Sequence, residues 1–230
     1  MISIVEPPKK TTAAHNKTGT TGEDLIVLTG IRWDTYEALS TDLGDRQIHL
    51  TYDRGRLEIM TLSSEHERYR KFLGRLIETM TLELRFAIAS AGSTTIKRKD
   101  LQRGLESDDC YYVESEPKVR GKLHIDIAVD VPDLAIEIDV TRSSTSRQSI
   151  YAALRVPELW RFDCETLRVY VLGANGEYEA SARSRCFPFL PVAELERFLK
   201  QITLVDETSL LLAFQDWVRN TLVPLVNPAS

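Results

Sequence analysis

Apolar residues spaced three and four apart, from Tyr69 through Phe72, Leu73, Leu76, Ile77, Met80 and Leu84 to Ala87, predict one long amphipathic helix over about residues 64–89. At 1.5 Å per residue it spans roughly 35–40 Å, enough to cross a small domain. Ser63 or Ser64 supplies its cap, and Glu67, three residues after Ser64, completes a capping box. Upstream, residues 25–28 form a short apolar strand. A helix carrying Trp33, Tyr36 and Leu39 follows, opened by Thr29 and closed by Gly44. Residues 47–52 and 56–60 alternate in polarity about Asp53-Arg54-Gly55, the pattern of a β-hairpin.

Downstream, the pattern turns to strands. Residues 93–97 start after Gly92 and run into the basic stretch Lys97-Arg98-Lys99. Residues 106–113 pass from a polar turn into an aromatic strand. Residues 114–131, with Pro117 and Gly121, form a polar excursion joining neighbouring strands. A strand over 133–140, a short helix over 147–154 with Ile150, Tyr151 and Leu154 on one face, and strands over 158–163 and 167–172 come next. Asn175-Gly176 marks a turn, and helices over 192–201 and 208–222 close the chain. This order predicts an α/β fold with a central mixed β-sheet flanked by helices. We divide it into a flexible tail (1–24), one domain (25–190) and a helical extension packed on that domain (191–230).

With 43% hydrophobic and 27% charged residues, the body is that of a globular protein. No apolar run approaches the roughly 20 residues needed to span a bilayer, and Met1 to Gly22 holds no hydrophobic region of signal-peptide type. Cys110, Cys164 and Cys186 are odd in number and lack metal-site spacing, which fits a reducing cytoplasm. A net charge of −5 argues against coating nucleic acid by bulk attraction and leaves room for a local basic groove.

Against this background the run Pro132-Asp133-Leu134-Ala135-Ile136-Glu137-Ile138-Asp139-Val140 stands out. It reads as a buried strand, yet Glu137 and Asp139 project together from one face. Carboxylates on such a strand are costly unless a cation or partner offsets them. Asp133 lies roughly 13 Å from Glu137 along the strand and is read as a turn or strand cap. If Asp108 opens the neighbouring strand, three carboxylates converge, a hard-oxygen set suited to magnesium or manganese and to phosphodiester hydrolysis. Asp109 competes with Asp108 because adjacent acids leave the register open, and Asp139 has an ion pair with Arg142 or Arg147 as its other reading.

The set Glu106-Ser107-Asp108, Pro132 to Asp139, Ile150-Tyr151 and Pro157-Glu158-Leu159-Trp160 closely resembles a large bacterial family of restriction endonucleases in the PD-(D/E)XK nuclease superfamily, over about residues 33–192. The resemblance implies a restriction endonuclease-like fold, a magnesium-dependent DNA endonuclease, and Asp108 and Glu137 as the first and second acids. Asp139 stands where the family pattern has lysine, and Ser107 where it has proline. The superfamily can take its basic residue from the following helix, which here offers Arg147. Arginine steadies developing negative charge but cannot act as a general base. Glu67 matches the helix acid that reaches the metal in the superfamily, with the capping box as the other explanation. Cutting both strands implies a homodimer.

Other residues read more plainly. His66 is assigned to the surface, Lys97, Arg98, Lys99 and Arg103 to a solvated loop that could rim the cleft, and Trp33, Tyr111, Tyr112, Tyr151 and Trp160 to core packing. The competing class is a non-catalytic nucleic-acid-binding or protein-interaction module on the same fold, favoured by the missing lysine and the acidic net charge.

Overall fold

The computed structural model describes residues 12–17, 22–44, 48–140 and 146–226. In chain order these form β1 (Thr12–Lys17), β2 (Asp24–Thr29), α1 (Trp33–Leu43), β3 (Ile48–Asp53), β4 (Arg56–Thr61), α2 (Ser64–Glu83), β5 (Ala89–Ser90), β6 (Thr94–Arg98), β7 (Arg103–Ser107), β8 (Asp109–Tyr112), α3 (Glu116–Val119) and β9 (Leu134–Ile138). Then come α4 (Arg147–Ala153), β10 (Glu158–Phe162), β11 (Leu167–Leu172), β12 (Tyr178–Ser181), α5 (Val192–Leu199), α6 (Glu207–Trp217), a π-helical stretch Val218–Leu222 and α7 (Val223–Val226).

The strands divide between two sheets of six, ordered β1-β2-β4-β3-β7-β6 and β12-β11-β10-β9-β8-β5. The α/β class holds, with the strands split between two sheets. The second sheet is the mixed one: β9 and β10 run parallel, with Glu137 opposite Arg161, while its other pairings are antiparallel. The stretch 106–113, read as one turn and strand, is the crossing point: β7 belongs to the first sheet and β8 to the second.

Local chemistry explains most boundaries. In the β3–β4 hairpin, Arg54 and Gly55 both take positive φ, 47° and 92°, as a two-residue turn matched to strand twist requires. Ser63, not Ser64, caps α2: its side chain accepts from the His66 amide. The third helical position is therefore His66 and not Glu67, so the expected capping box does not form. The helix also stops six residues before the predicted end. Arg85 turns left-handed (φ 54°), Phe86 N–H donates to Thr81 O at 2.8 Å and Arg85 N–H to Leu82 O at 3.1 Å. That terminating motif usually uses glycine, so the sequence carried no stop signal.

Part of the expected tail is ordered. β1 pairs antiparallel with β2, Glu23 is buried against Ser63 and His66, and the remainder of residues 1–21 lies outside the described residues.

Leu134, Ile136 and Ile138 of β9 face a core built with Phe72, Leu73 and Leu76 of α2, Phe198 of α5 and Phe214 of α6. The opposite face of the second sheet, with Cys110 and Ala135, packs on Ile150 and Tyr151 of α4 and on Ile96 and Leu105 of the first sheet. Trp33, Tyr111, Tyr112, Tyr151 and Trp160 are all buried, as core packing predicts. No described helix is long and apolar enough to cross a membrane.

Candidate functional site

Asp108 is the one residue between β7 and β8, where the chain leaves one sheet and enters the other. It is completely buried. Its backbone N–H donates to Ile136 O at 3.2 Å, and its Oδ2 accepts from the Ile138 N–H at 2.6 Å. Ile138 lies between Glu137 and Asp139, so this bond pins the first acid to the strand that carries the other two.

The other oxygen faces two imidazoles. Asp108 Oδ1 lies 3.0 Å from His66 Nε2 and 3.2 Å from His49 Nδ1, and His66 Nδ1 lies 3.3 Å from Glu23 Oε1. Burial works against a charged His66, but Asp108 and then Glu23 outweigh it and raise the imidazole to about 10. Burial likewise opposes the Asp108 carboxylate, and His66 and His49 overcome it and hold the group ionised, well below the usual range. His66 is thus no surface residue: with three oxygen-bearing neighbours at the α2 N-terminus, it is enclosed on every side. The sequence offered little sign of this, since His49, His66 and Glu23 come from three separate segments.

Glu137 shares the α4 side of β9 with Ala135. Its two oxygens each sit 2.9 Å from the Arg147 guanidinium, Oε1 to Nη2 and Oε2 to Nε, and Tyr151 Oη also donates to Oε1. Arg147 Nη2 donates in addition to the Glu106 carbonyl. Burial, reinforced by Asp108 and Asp139 and opposed by Arg147, pushes the Glu137 carboxyl up. Asp139 pairs with Arg161 and not with Arg147. The Arg161 fork, from the adjoining strand, reaches its Oδ2 at 2.9 and 2.7 Å; Arg142 falls outside the described residues. Burial raises Asp139 too, against the pull of Arg161.

Glu67 takes a bidentate bond from Arg70, at 3.0 and 2.8 Å, in place of its predicted cap. Burial opposes ionisation there and Arg70 prevails, lowering the pKa. Asp109 turns away from the cluster: it accepts from its neighbour's amide at Cys110 and from Tyr111 Oη, both at 2.9 Å, beside Gly74 of α2. The register left open in the sequence therefore favours Asp108 as the cluster acid. Asp133 is the strand cap it was read to be, its Oδ2 accepting from Val113 N, Ser115 N and Ser115 Oγ at 2.7–2.8 Å. The basic run is largely neutralised by its own surroundings: Lys97 with Glu37, Arg98 with Asp100, Lys99 with Asp34 and Arg103 with Asp53.

The donor chemistry of Asp108, Glu137 and Asp139 is that of hard oxygen ligands, and the rise at Glu137 and Asp139 comes first from burial and only second from neighbouring acids. As the side chains stand, each is turned to a basic residue of its own chain. Among the described residues no three His, Cys, Asp or Glu side chains are gathered in a way that could hold a metal ion.

A family model described as "Uma2: Putative restriction endonuclease" matches residues 33–212. No curated protein matches the chain.

Proposed function

Since the chain belongs to the Uma2 family, with its restriction endonuclease-like α/β fold, we propose that it is a magnesium-dependent endonuclease hydrolysing DNA phosphodiester bonds. One observation supports the reading: the bond from Ile138 N–H to Asp108 Oδ2, which ties the buried Asp108 carboxylate to the backbone between Glu137 and Asp139. Such a concentration of buried acid is expensive, and the chain retains it at the seam of its two sheets.

Asp108, Glu137 and Asp139 would hold magnesium, or manganese in its place, with Glu67 near by on α2. A bound ion supplies Lewis-acid polarisation of the phosphoryl oxygen and a water of lowered pKa. The protein's own residues do the rest. His66 and His49 keep Asp108 ionised and oriented. Arg147, permanently charged, offers its planar fork to the negative charge that develops on the phosphoryl group, and proton removal falls to another group. For a cut through both strands we expect two copies of the chain to act as a symmetric pair. The three free cysteines suit a reducing cytoplasm.

A second reading has an observation of its own. Every acid of the cluster already has a basic partner within the chain, as a non-catalytic module on this fold would have. Supercoiled plasmid incubated with manganese separates the two. The nuclease reading expects nicking by the wild type, loss of nicking in EDTA, and none by Asp139→Ala. Equal nicking by wild type and variant, or none by either, sinks it.

A further inference from the structure

We infer that Arg147 occupies the cation position of the carboxylate cluster, so that a divalent ion loads only when the guanidinium leaves Glu137. The inference rests on the nuclease reading and adds how the site is controlled.

Three observations point to Arg147 rather than to the other basic residues of the cluster. First, its pair is the most enclosed of the arginine pairs: the side chains of Arg147 and Glu137 are 6% and 2% exposed, against 32% and 17% for Arg161 and Asp139, and 19% and 21% for Arg70 and Glu67. Second, it engages both Glu137 oxygens at 2.9 Å, and Tyr151 Oη adds a donor to Oε1. With Nη2 and Tyr151 bonded to Oε1 and Nε lying against Oε2, an ion drawn to Glu137 has to compete with the guanidinium for the same buried carboxylate. Third, the guanidinium has a separate anchor. Arg147 Nη2 also donates to the Glu106 carbonyl on β7, two residues before Asp108, so the side chain can let go of Glu137 while still tethered beside the cluster.

What would draw it away follows from its chemistry. A guanidinium matches a phosphodiester in the same two-pronged geometry as a carboxylate, and a phosphate approaching the seam gives Arg147 a new partner at the moment Glu137 becomes available. Substrate and metal then help each other bind, and by linkage the assistance is reciprocal. Without DNA the site stays closed on its own arginine, a latch against idle metal loading.

The test is calorimetric and needs no turnover. Manganese chloride is titrated, without DNA, into wild type, Arg147→Lys and Arg147→Gln, each checked for native fold by near-ultraviolet circular dichroism. Lysine keeps the charge but not the fork, which safeguards the experiment if the glutamine variant fails to fold. Wild type should bind manganese weakly. Arg147→Lys should bind about 10-fold more tightly, a difference of about 1.4 kcal/mol, with a matching rise in melting temperature on adding metal. Adding Glu137→Gln should erase the gain. Equal affinities in wild type and the Lys variant overturn the latch, as does a gain that survives Glu137→Gln. If wild type binds manganese tightly and nicks plasmid, only the latch is lost. If no variant binds and wild type leaves plasmid intact, the nuclease reading falls with it.

Discussion

Replacing Asp109 with asparagine should stabilise the protein at neutral and alkaline pH, although the change removes two charge-assisted hydrogen bonds. Burial is the main reason. It raises Asp109 from 3.8 to about 6, against the lowering effect of the Tyr111 hydroxyl, the Cys110 amide and Arg70. In the unfolded chain the group titrates near its ordinary value. Below about pH 3.8 both states are protonated and the carboxyl contributes nothing; between there and about pH 6 the folded state holds its proton more tightly, so stability falls as pH rises. Above about 6 the full penalty stands, about 3 kcal/mol at 1.36 kcal/mol for each pKa unit. Asparagine fills the same space, accepts from one partner and can donate to the Tyr111 oxygen. Its melting temperature at pH 8 should therefore exceed the wild type's by up to roughly 6–12 °C, at roughly 2–4 °C per kcal/mol. The margin should shrink to nothing by pH 4. Urea melts of both proteins from pH 4 to pH 8 give the difference directly, with the other acids cancelling between them. A constant difference across that range, or a variant less stable at pH 8, would refute the argument that Asp109 is a buried, destabilising carboxylate.

Two further substitutions probe the scaffold. Gly104 in β7 lies under the fully buried Tyr36: an added Cβ would press on the phenol oxygen and come within 2.8 Å of Lys97 Cβ and 3.0 Å of Tyr36 Cζ. Gly104→Ala should cost about 1–3 kcal/mol, seen as a lower urea midpoint with unchanged slope. Asp133→Ala strips the shared acceptor from Val113 N, Ser115 N and Ser115 Oγ. It should lose about 2–3 kcal/mol in the same melts while leaving manganese affinity untouched, because Asp133 caps the far end of the strand.

What the sequence disclosed depended on the range of the interaction involved. Hairpin turns, helix faces and the capping role of Asp133 are local matters, settled within a few residues, and they were legible. The partners of the acids were not. Asp139 found Arg161 because β9 and β10 run in parallel register, a pairing that residue spacing along one strand cannot express. Glu67 missed its box by one position, since the capping serine is Ser63, and took Arg70 instead. His66 looked like an exposed polar residue at a helix start; its burial is imposed by Glu23 from before the first core strand and by Asp108 from another sheet. Likewise residues 106–113 carry no mark of the change of sheet at Asp108, because alternation records which face a side chain takes and not which neighbours its strand chooses.

The passage of the backbone from the first sheet to the second through Asp108 has a mechanical consequence. The carboxylate is a rivet at that junction, bonded to the β9 backbone, and it shares the load between the sheets with the apolar packing of Ile96 and Leu105 and with the Arg147 bond to Glu106. The outer edge β1 lies on the far side of the first sheet from β7 and can be lengthened, charged or covered without touching the rivet, whereas β6 pairs directly with β7 and bonds to Ser107 beside it. A scaffold of this kind separates the surface that meets a target from the place where force and charge are concentrated, and lets the one vary while the other stays aligned.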